Sequence, residues 1–315
     1  MKHRLTEAAS GVFIISATPF TDDGAVDHDS LAGLTRFYID KGVSGITILG
    51  MMGEAPKLTT AESEAVIATV MTEVKNEVPV VVGVSNAGLD NLVGLSEVAM
   101  VAGAAGVMIA PGKASRTESG VIQTFATIAK RLPGVPLVYQ DFPLTTEMPI
   151  SAGTFTDLVA AVPEVVMLKH EDWPGLAKLS AVRAAAEARG VRRVSILTGN
   201  GGLYLPQELA RGADGAMTGF AYPEMLVEVV KRHKAGDIDG AEDLFDAYLP
   251  LIRHEQQPGF GLAVRKEVLR RRGVIASATT RAPGPSLDAT AHAELTRLMD
   301  RLDARLATLR EPVAA

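Results

Sequence analysis

The chain has no cysteine, a single tryptophan, and aromatic residues at only 5% of its 315 positions. Without cysteine there are no disulfides, thiolate nucleophiles or thiolate metal ligands, and an intracellular setting is expected. There is no basic block, and the formal net charge is −6. A phosphate-backbone partner is therefore not expected, and nucleic acid is excluded as a ligand class. The six histidines are scattered without His-x3-His or similar spacing, so no metal site is indicated. No apolar run reaches the roughly 18 residues that a membrane span requires. The first ten residues, MKHRLTEAAS, also lack the apolar segment of a secretory signal. The expectation is a cytoplasmic protein with no membrane partner.

What is present is a repeat. Short, nearly continuous apolar runs alternate with longer segments of helical spacing up to about residue 235. The runs are Val12–Ala17, Gly45–Leu49, Val80–Val84, Gly106–Ala110, Leu137–Gln140, Val165–Lys169, Val194–Thr198 and Gly215–Thr218. Continuous rather than alternating apolar character marks a parallel strand buried on both faces. Between them, Val66, Ile67, Val70, Met71 and Val74 line one helical face, with Thr59 and Glu62 at capping-box spacing before it. A local signature recurs three times, as Gly42-Val43-Ser44-Gly45, Gly103-Ala104-Ala105-Gly106 and Gly212-Ala213-Asp214-Gly215. Its first glycine suits a left-handed helix end, and its second suits a tight entry into the next strand. Eight such units predict a TIM (β/α)8 barrel over residues 1–235. A doubly wound open sheet is disfavoured, because no Gly-x-Gly-x-x-Gly follows the first strand. Three further helices, Ile238–His254, Gly261–Arg272 and Asp288–Leu309, form a C-terminal extension (236–315) expected to pack on the barrel or serve subunit contacts.

Barrel enzymes carry their chemistry at the C-terminal ends of the strands. Lys169 closes an apolar run there, and desolvation favours the neutral amine that attacks a ketone. The competing reading is a lysine that pairs with Glu171 or Asp172. Tyr139 ends the neighbouring strand, where a phenol can relay protons; the competing reading is a core tyrosine. The turn Gly50-Met51-Met52-Gly53-Glu54 offers backbone N–H groups able to hold a carboxylate, although methionines more often pack than bind. His170, Glu171, Asp172, Asn200 and Thr145 are further polar candidates.

Together these motifs resemble the dihydrodipicolinate synthase / N-acetylneuraminate lyase superfamily of class I Schiff-base lyases. The resemblance runs from Gly11 through the C-terminal helices. It rests on Thr18-Pro19-Phe20, Gly50-x-x-Gly53-Glu54, Tyr139 followed by Pro143, Leu168-Lys169, and Gly199 after strand seven. It implies an imine-forming Lys169, a proton-relaying Tyr139, and a substrate carboxylate on the N–H groups of Met51, Met52 and Gly53. Thr18, Gly199 and Asn200 would lie near the substrate. It also implies a pyruvate-type 2-oxo acid substrate, no cofactor, and a homotetramer or homodimer.

The departures narrow the activity. Met51 and Met52 stand where the family commonly has hydroxyl residues. Ala110-Pro111-Gly112-Lys113 lacks the second tyrosine of the synthases, and Leu144-Thr145-Thr146 lacks their arginine. Tyr139 to Pro143 is one residue longer than the usual spacing. Gln140-Asp141, Gly215-Ala216-Met217-Thr218-Gly219 and the helix around Leu249–Glu255 instead resemble a subgroup that includes 2-keto-3-deoxy-sugar-acid dehydratases. The expected function is an aldolase or dehydratase acting on a 2-keto-3-deoxy acid. The alternatives are the aldol condensation of a 4-hydroxy-tetrahydrodipicolinate synthase and a non-catalytic barrel that binds a 2-oxo acid.

Overall fold

A computed structural model describes residues 3–112, 115 and 117–310. Lys113 therefore lies outside the described residues. Eight parallel strands close into a barrel in sequence order. They are β1 (Gly11–Ile15), β2 (Gly45–Ile48), β3 (Val80–Gly83), β4 (Gly106–Ile109), β5 (Leu137–Asp141), β6 (Val165–His170), β7 (Ser195–Thr198) and β8 (Gly215–Ala216). The ladder outlasts β1 and β8: Ile15 N–H still donates to Thr218 O (2.8 Å), and Ser16 N–H to Thr47 O (2.9 Å).

Both faces of the strands are buried, which is why their sequences do not alternate. Phe13, Ile15, Val81, Met108, Val138, Met167, Leu197 and Met217 fill the barrel interior. Ile14, Ile46, Val82, Val107, Leu137, Leu168 and Ile196 face outward, into a continuous apolar layer under the helices. Helix α1 (His28–Asp40) and helix α2 (Thr60–Val74) follow the first two strands, and the capping box of Thr59 and Glu62 is present at the start of α2. Helices α3 (Leu89–Val101), α4 (Glu118–Arg131), α5 (Pro143–Thr146), α6 (Ala152–Ala161), α7 (Gly175–Ala188), α8 (Leu205–Ala210) and α9 (Pro223–Lys234) complete the ring.

The repeated glycine pairs do two different jobs. Gly42, Gly103 and Gly212 take positive φ (79°, 101° and 92°), as expected of left-handed helix ends. The second glycines open strands instead of making turns, and neighbouring chain denies them a side chain. A Cβ on Gly215 would lie 1.9 Å from Gly11 O, where β8 meets β1 to close the barrel.

Three helices extend the barrel: α10 (Ile238–Glu255), α11 (Gly261–Arg271) and α12 (Ala289–Arg310). Helix α10 packs on α9, and α11 and α12 pack on α10. The extension is also joined to the barrel through buried polar groups. Arg265 Nε donates to Glu255 Oε1 (2.5 Å), and its Nη2 donates to Gly219 O (2.7 Å) beyond β8. Among the described residues no helix is long and apolar enough to cross a membrane.

A polar seam interrupts the apolar layer outside β5 to β7. His170 Nε2 meets Gly175 O (2.9 Å), and its Nδ1 lies 3.5 Å from Asp141 Oδ2. Lys178 on α7 lies 2.7 Å from both Asp141 Oδ2 and Asp172 Oδ2. Burial draws the His170 imidazole down, but bonding to Asp141 and the Gly175 carbonyl outweighs it and holds it above its ordinary value. Glu208, on α8, is buried beside this seam. Burial pushes its carboxyl up to about 7, against the opposing effects of Thr198 and His170.

Two outcomes follow. Gly215→Ala, which forces a Cβ into Gly11 at the closure point, should lower unfolding free energy by about 3 kcal/mol in denaturant titration. Glu208 holds its proton to a higher pH folded than unfolded, so stability declines as pH rises from its ordinary value of 4.5 through about 7. Glu208→Gln should remove a decline of about 3 kcal/mol, its advantage over the native chain growing between pH 5 and 8.

Candidate active site

The mouth of the barrel is assembled from β5, β6 and the loops after β1, β2 and β7. Register decides which side chains share it. Gln140 pairs with Lys169 across the β5–β6 ladder, and Tyr139 pairs with Leu168. Paired residues of parallel strands point to the same face. Lys169 and Gln140 therefore face the interior, and Tyr139 and Leu168 face the helices.

Lys169 is buried (4% exposed), and its Nζ lies 3.0 Å from Glu171 Oε2. Gln140 Nε2 donates to the same Glu171 oxygen at 2.8 Å. The amine expected to have a phenol as its partner thus has a carboxylate against it, held in place by an amide. Both readings of Lys169 meet here, since the lysine at the strand end also pairs with Glu171.

Tyr139 is not part of this group. Its ring packs between Phe125 of α4 and Phe155 of α6, at centroid distances of 5.2 and 5.8 Å. Its hydroxyl is buried, with no hydrogen-bond partner among the described residues. Burial, then the carboxylates of Asp141, Asp172 and Glu118, hold the phenol well above its ordinary value. The expected partnership of Tyr139 with Lys169 is corrected: the core-tyrosine reading describes its placement, and Gln140 takes the position beside the lysine. Two signals in the sequence carried this. Val138, Tyr139 and Gln140 must alternate in direction, and counting from Gln140 removes the extra residue before Pro143.

The turn after β2 is a single 3-10 turn over Met51–Gly53. The N–H groups of Gly53, Glu54 and Ala55 bond back to Gly50 O, Met51 O and Gly50 O, at 3.0, 3.0 and 3.4 Å. Those of Met51 and Met52 have no such bond among the described residues. Gly53 was expected to offer its N–H to substrate; that group is spent inside the turn. Thr18 likewise holds the turn, its Oγ1 donating to Gly53 O at 2.7 Å. The Met52 side chain packs against the interior cluster. A cavity of about 610 Å³ opens beside the turn between α2 and α3. Met51, Ser85, Asn91, Met108 and Gln140 are among its lining residues, and Lys169 is not.

The loop after β7 shapes Glu171. A Cβ on Gly199 would lie 2.3 Å from Glu171 Cγ, so glycine is what allows that side chain to fold back over the loop to Lys169. Asn200 sits at φ 51° and donates from Nδ2 to Glu171 O at 3.3 Å. Both residues position the carboxylate. His170 and Asp172 belong to the outer seam, and Thr145 is exposed on α5. Among the described residues there is no cluster of three or more His, Cys, Asp or Glu able to hold a metal ion.

Comparison with known proteins gives the family. Residues 8–302 match the model of the dihydrodipicolinate synthetase family. A 4-hydroxy-tetrahydrodipicolinate synthase of Sorangium cellulosum is 33% identical over 303 residues, which is 94% of this chain and 97% of the relative. An L-2-keto-3-deoxyarabonate dehydratase of Azospirillum brasilense is 30% identical over 297 residues, covering 93% and 94%. Among solved structures, a dihydrodipicolinate synthase of Rhodopseudomonas palustris superposes with TM-score 0.92 at 47% identity, covering 95% of this chain and 99% of that one. The prophage protein YagE of E. coli K12, solved with pyruvate, gives TM-score 0.85 at 25% identity, covering 93% and 98%. The chain belongs to the dihydrodipicolinate synthetase family and is a lyase of the class I aldolase type.

Proposed function

We propose that Lys169 forms an imine with C2 of a 2-keto-3-deoxy acid and that the chain eliminates water from it. The contact of Lys169 Nζ with Glu171 Oε2 at 3.0 Å carries this reading. Glu171 takes the proton from the Lys169 ammonium, and the free amine adds to the keto carbon. Glu171 gives that proton to the carbinolamine hydroxyl, which leaves as water, so that a protonated imine, an electron sink for C3, forms and Glu171 is a carboxylate again. The substrate carboxylate rests on the N–H groups of Met51 and Met52.

Glu171 then accepts a proton from C3, and the C3–H electrons move into the imine to give an enamine. The enamine returns those electrons to expel the C4 hydroxyl, which leaves as water with the proton that Glu171 took. One carboxylate serves as base and then acid, as its position between Lys169 and Gln140 allows. Hydrolysis of the resulting imine frees the product and the amine.

The second reading is aldol condensation of pyruvate, favoured by the synthase names of several relatives. Against it, the positions of the synthase's hydroxyl relay hold none among the described residues: Met51 and Met52 carry no hydroxyl, and Tyr139 faces the helices. A barrel that only binds 2-oxo acids is disfavoured by a buried lysine and carboxylate set against each other. The same reading extends to a cytoplasmic homodimer or homotetramer. The absence of cysteine supports the setting, and the exposed Trp173 and Tyr204, stacked edge-on at 5.4 Å, support self-association.

Borohydride with pyruvate should add one reduced pyruvyl group, mapped to the peptide containing Lys169, and Lys169→Ala should show none. An adduct on another lysine, or none with any 2-oxo acid, would sink the imine assignment. With 2-keto-3-deoxyarabonate, a dehydrated 2-oxo product should accumulate without pyruvate. Release of pyruvate and an aldehyde would move the assignment to aldol cleavage. Gln140→Leu, which frees Glu171 from its amide, should lower kcat by about tenfold or more while pyruvate trapping persists.

A further inference from the structure

Two motifs at the barrel mouth are unused by the chemistry above: Phe20 of Thr18-Pro19-Phe20, and Glu54 at the end of the Gly50–Gly53 turn. Both are held by the C-terminal extension. Glu54 is buried, and its carboxylate has three donors. Lys266 Nζ of α11 reaches Oε1 at 2.7 Å, while Lys57 Nζ and the Arg281 N–H reach Oε2 at 2.9 and 3.0 Å. Lys266 has no exposed side-chain surface; its ammonium also donates to Thr279 O (2.9 Å) and lies 4.3 Å from the centre of the Phe20 ring. The Arg281 guanidinium lies 4.5 Å from that ring.

The turn itself is held against backbone preference. Leu49 and Glu54, which bracket it, take φ of 54° and 55°, a left-handed conformation that costs a residue with a side chain. Such a conformation persists where surrounding contacts over-determine it. On one side the contact is Thr18 to Gly53 O. On the other it is the carboxylate of Glu54. A buried ion pair adds little net stability, and breaking one leaves an uncompensated charge. The arrangement therefore suits fixing a geometry better than strengthening a fold.

We infer that Lys266, acting through Glu54, is a positioning residue: it holds the Gly50–Gly53 turn in the shape that presents the Met51 and Met52 N–H groups to the substrate carboxylate. The C-terminal extension thereby forms part of the carboxylate site, acting through the turn. The inference rests on the proposed use of those N–H groups.

The test compares Lys266→Met and Glu54→Gln with Val268→Ala, a cavity variant on the same helix whose native side chain is fully buried. Two quantities are read: amide hydrogen exchange in a peptide spanning residues 50–54, and the pyruvate concentration that half-saturates borohydride trapping. Lys266→Met and Glu54→Gln should speed exchange in that peptide and raise the half-saturating concentration by about tenfold, with trapping at saturation retained. Val268→Ala should lower the Tm and leave both quantities unmoved. If Lys266→Met does not fold, Glu54→Gln decides. Unchanged exchange, unchanged half-saturation, or an equal response in Val268→Ala overturns the inference. Failure of the native chain to trap pyruvate would instead sink the imine reading, and exchange in the two charge variants would still decide whether Lys266 holds the turn.

Discussion

The contact between Lys169 and Glu171 is the constraint around which the barrel mouth is built. A buried amine and a buried carboxylate are each costly alone, and together they are tolerable only with good geometry and satisfied remaining groups. The surrounding residues meet that demand. Gln140 donates to the same carboxylate oxygen, Asn200 donates to the Glu171 backbone carbonyl, and Gly199 leaves the space the side chain crosses. Remove any of these and the carboxylate loses either its aim or its path. The pair also resolves a chemical difficulty. A lysine nucleophile needs somewhere to put its proton, and the electron sink it creates needs a base near C3.

The second constraint is the shape of the turn that faces this pair. Its N–H groups can receive a carboxylate only while the chain holds the left-handed conformations of Leu49 and Glu54. Thr18 on the β1 side and the charged cluster from the C-terminal extension grip it from opposite directions. The site is thus made by the first loops of the barrel and by helices some 200 residues later in the chain, as the Lys266–Glu54 separation of 212 residues illustrates.

Much of this was legible in the sequence. Eight doubly buried strands show as continuous apolar runs because no polar alternation is needed, and the bounds of α10 and α11 follow from helical spacing. The place of Lys169 at the barrel mouth was legible because a charged residue closing such a run is unusual. The same property hid the error at Tyr139. A strand buried on both faces gives no polar phase, so hydrophobicity could not say whether Tyr139 or Gln140 looks into the barrel. The β5–β6 register shift between Leu137 and Val138 also defeats counting along β6. Strand alternation says that Tyr139 and Gln140 face opposite ways, and the spacing to Pro143 says which of them faces in. The roles of Thr18 and Gly53 as holders of the turn, and of Lys266 as its distant anchor, depend on contacts across the fold that no local pattern encodes.

The central claim is that Glu171, and not Tyr139, moves the proton at C3. Exchange of pyruvate methyl protons in deuterium oxide, followed by proton NMR, reads that step in enzyme whose imine formation is checked by borohydride trapping. The account predicts exchange in the native chain, nearly unchanged exchange in Tyr139→Phe, and a loss of about a hundredfold or more in Glu171→Gln. Exchange that survives in Glu171→Gln and disappears in Tyr139→Phe would contradict it.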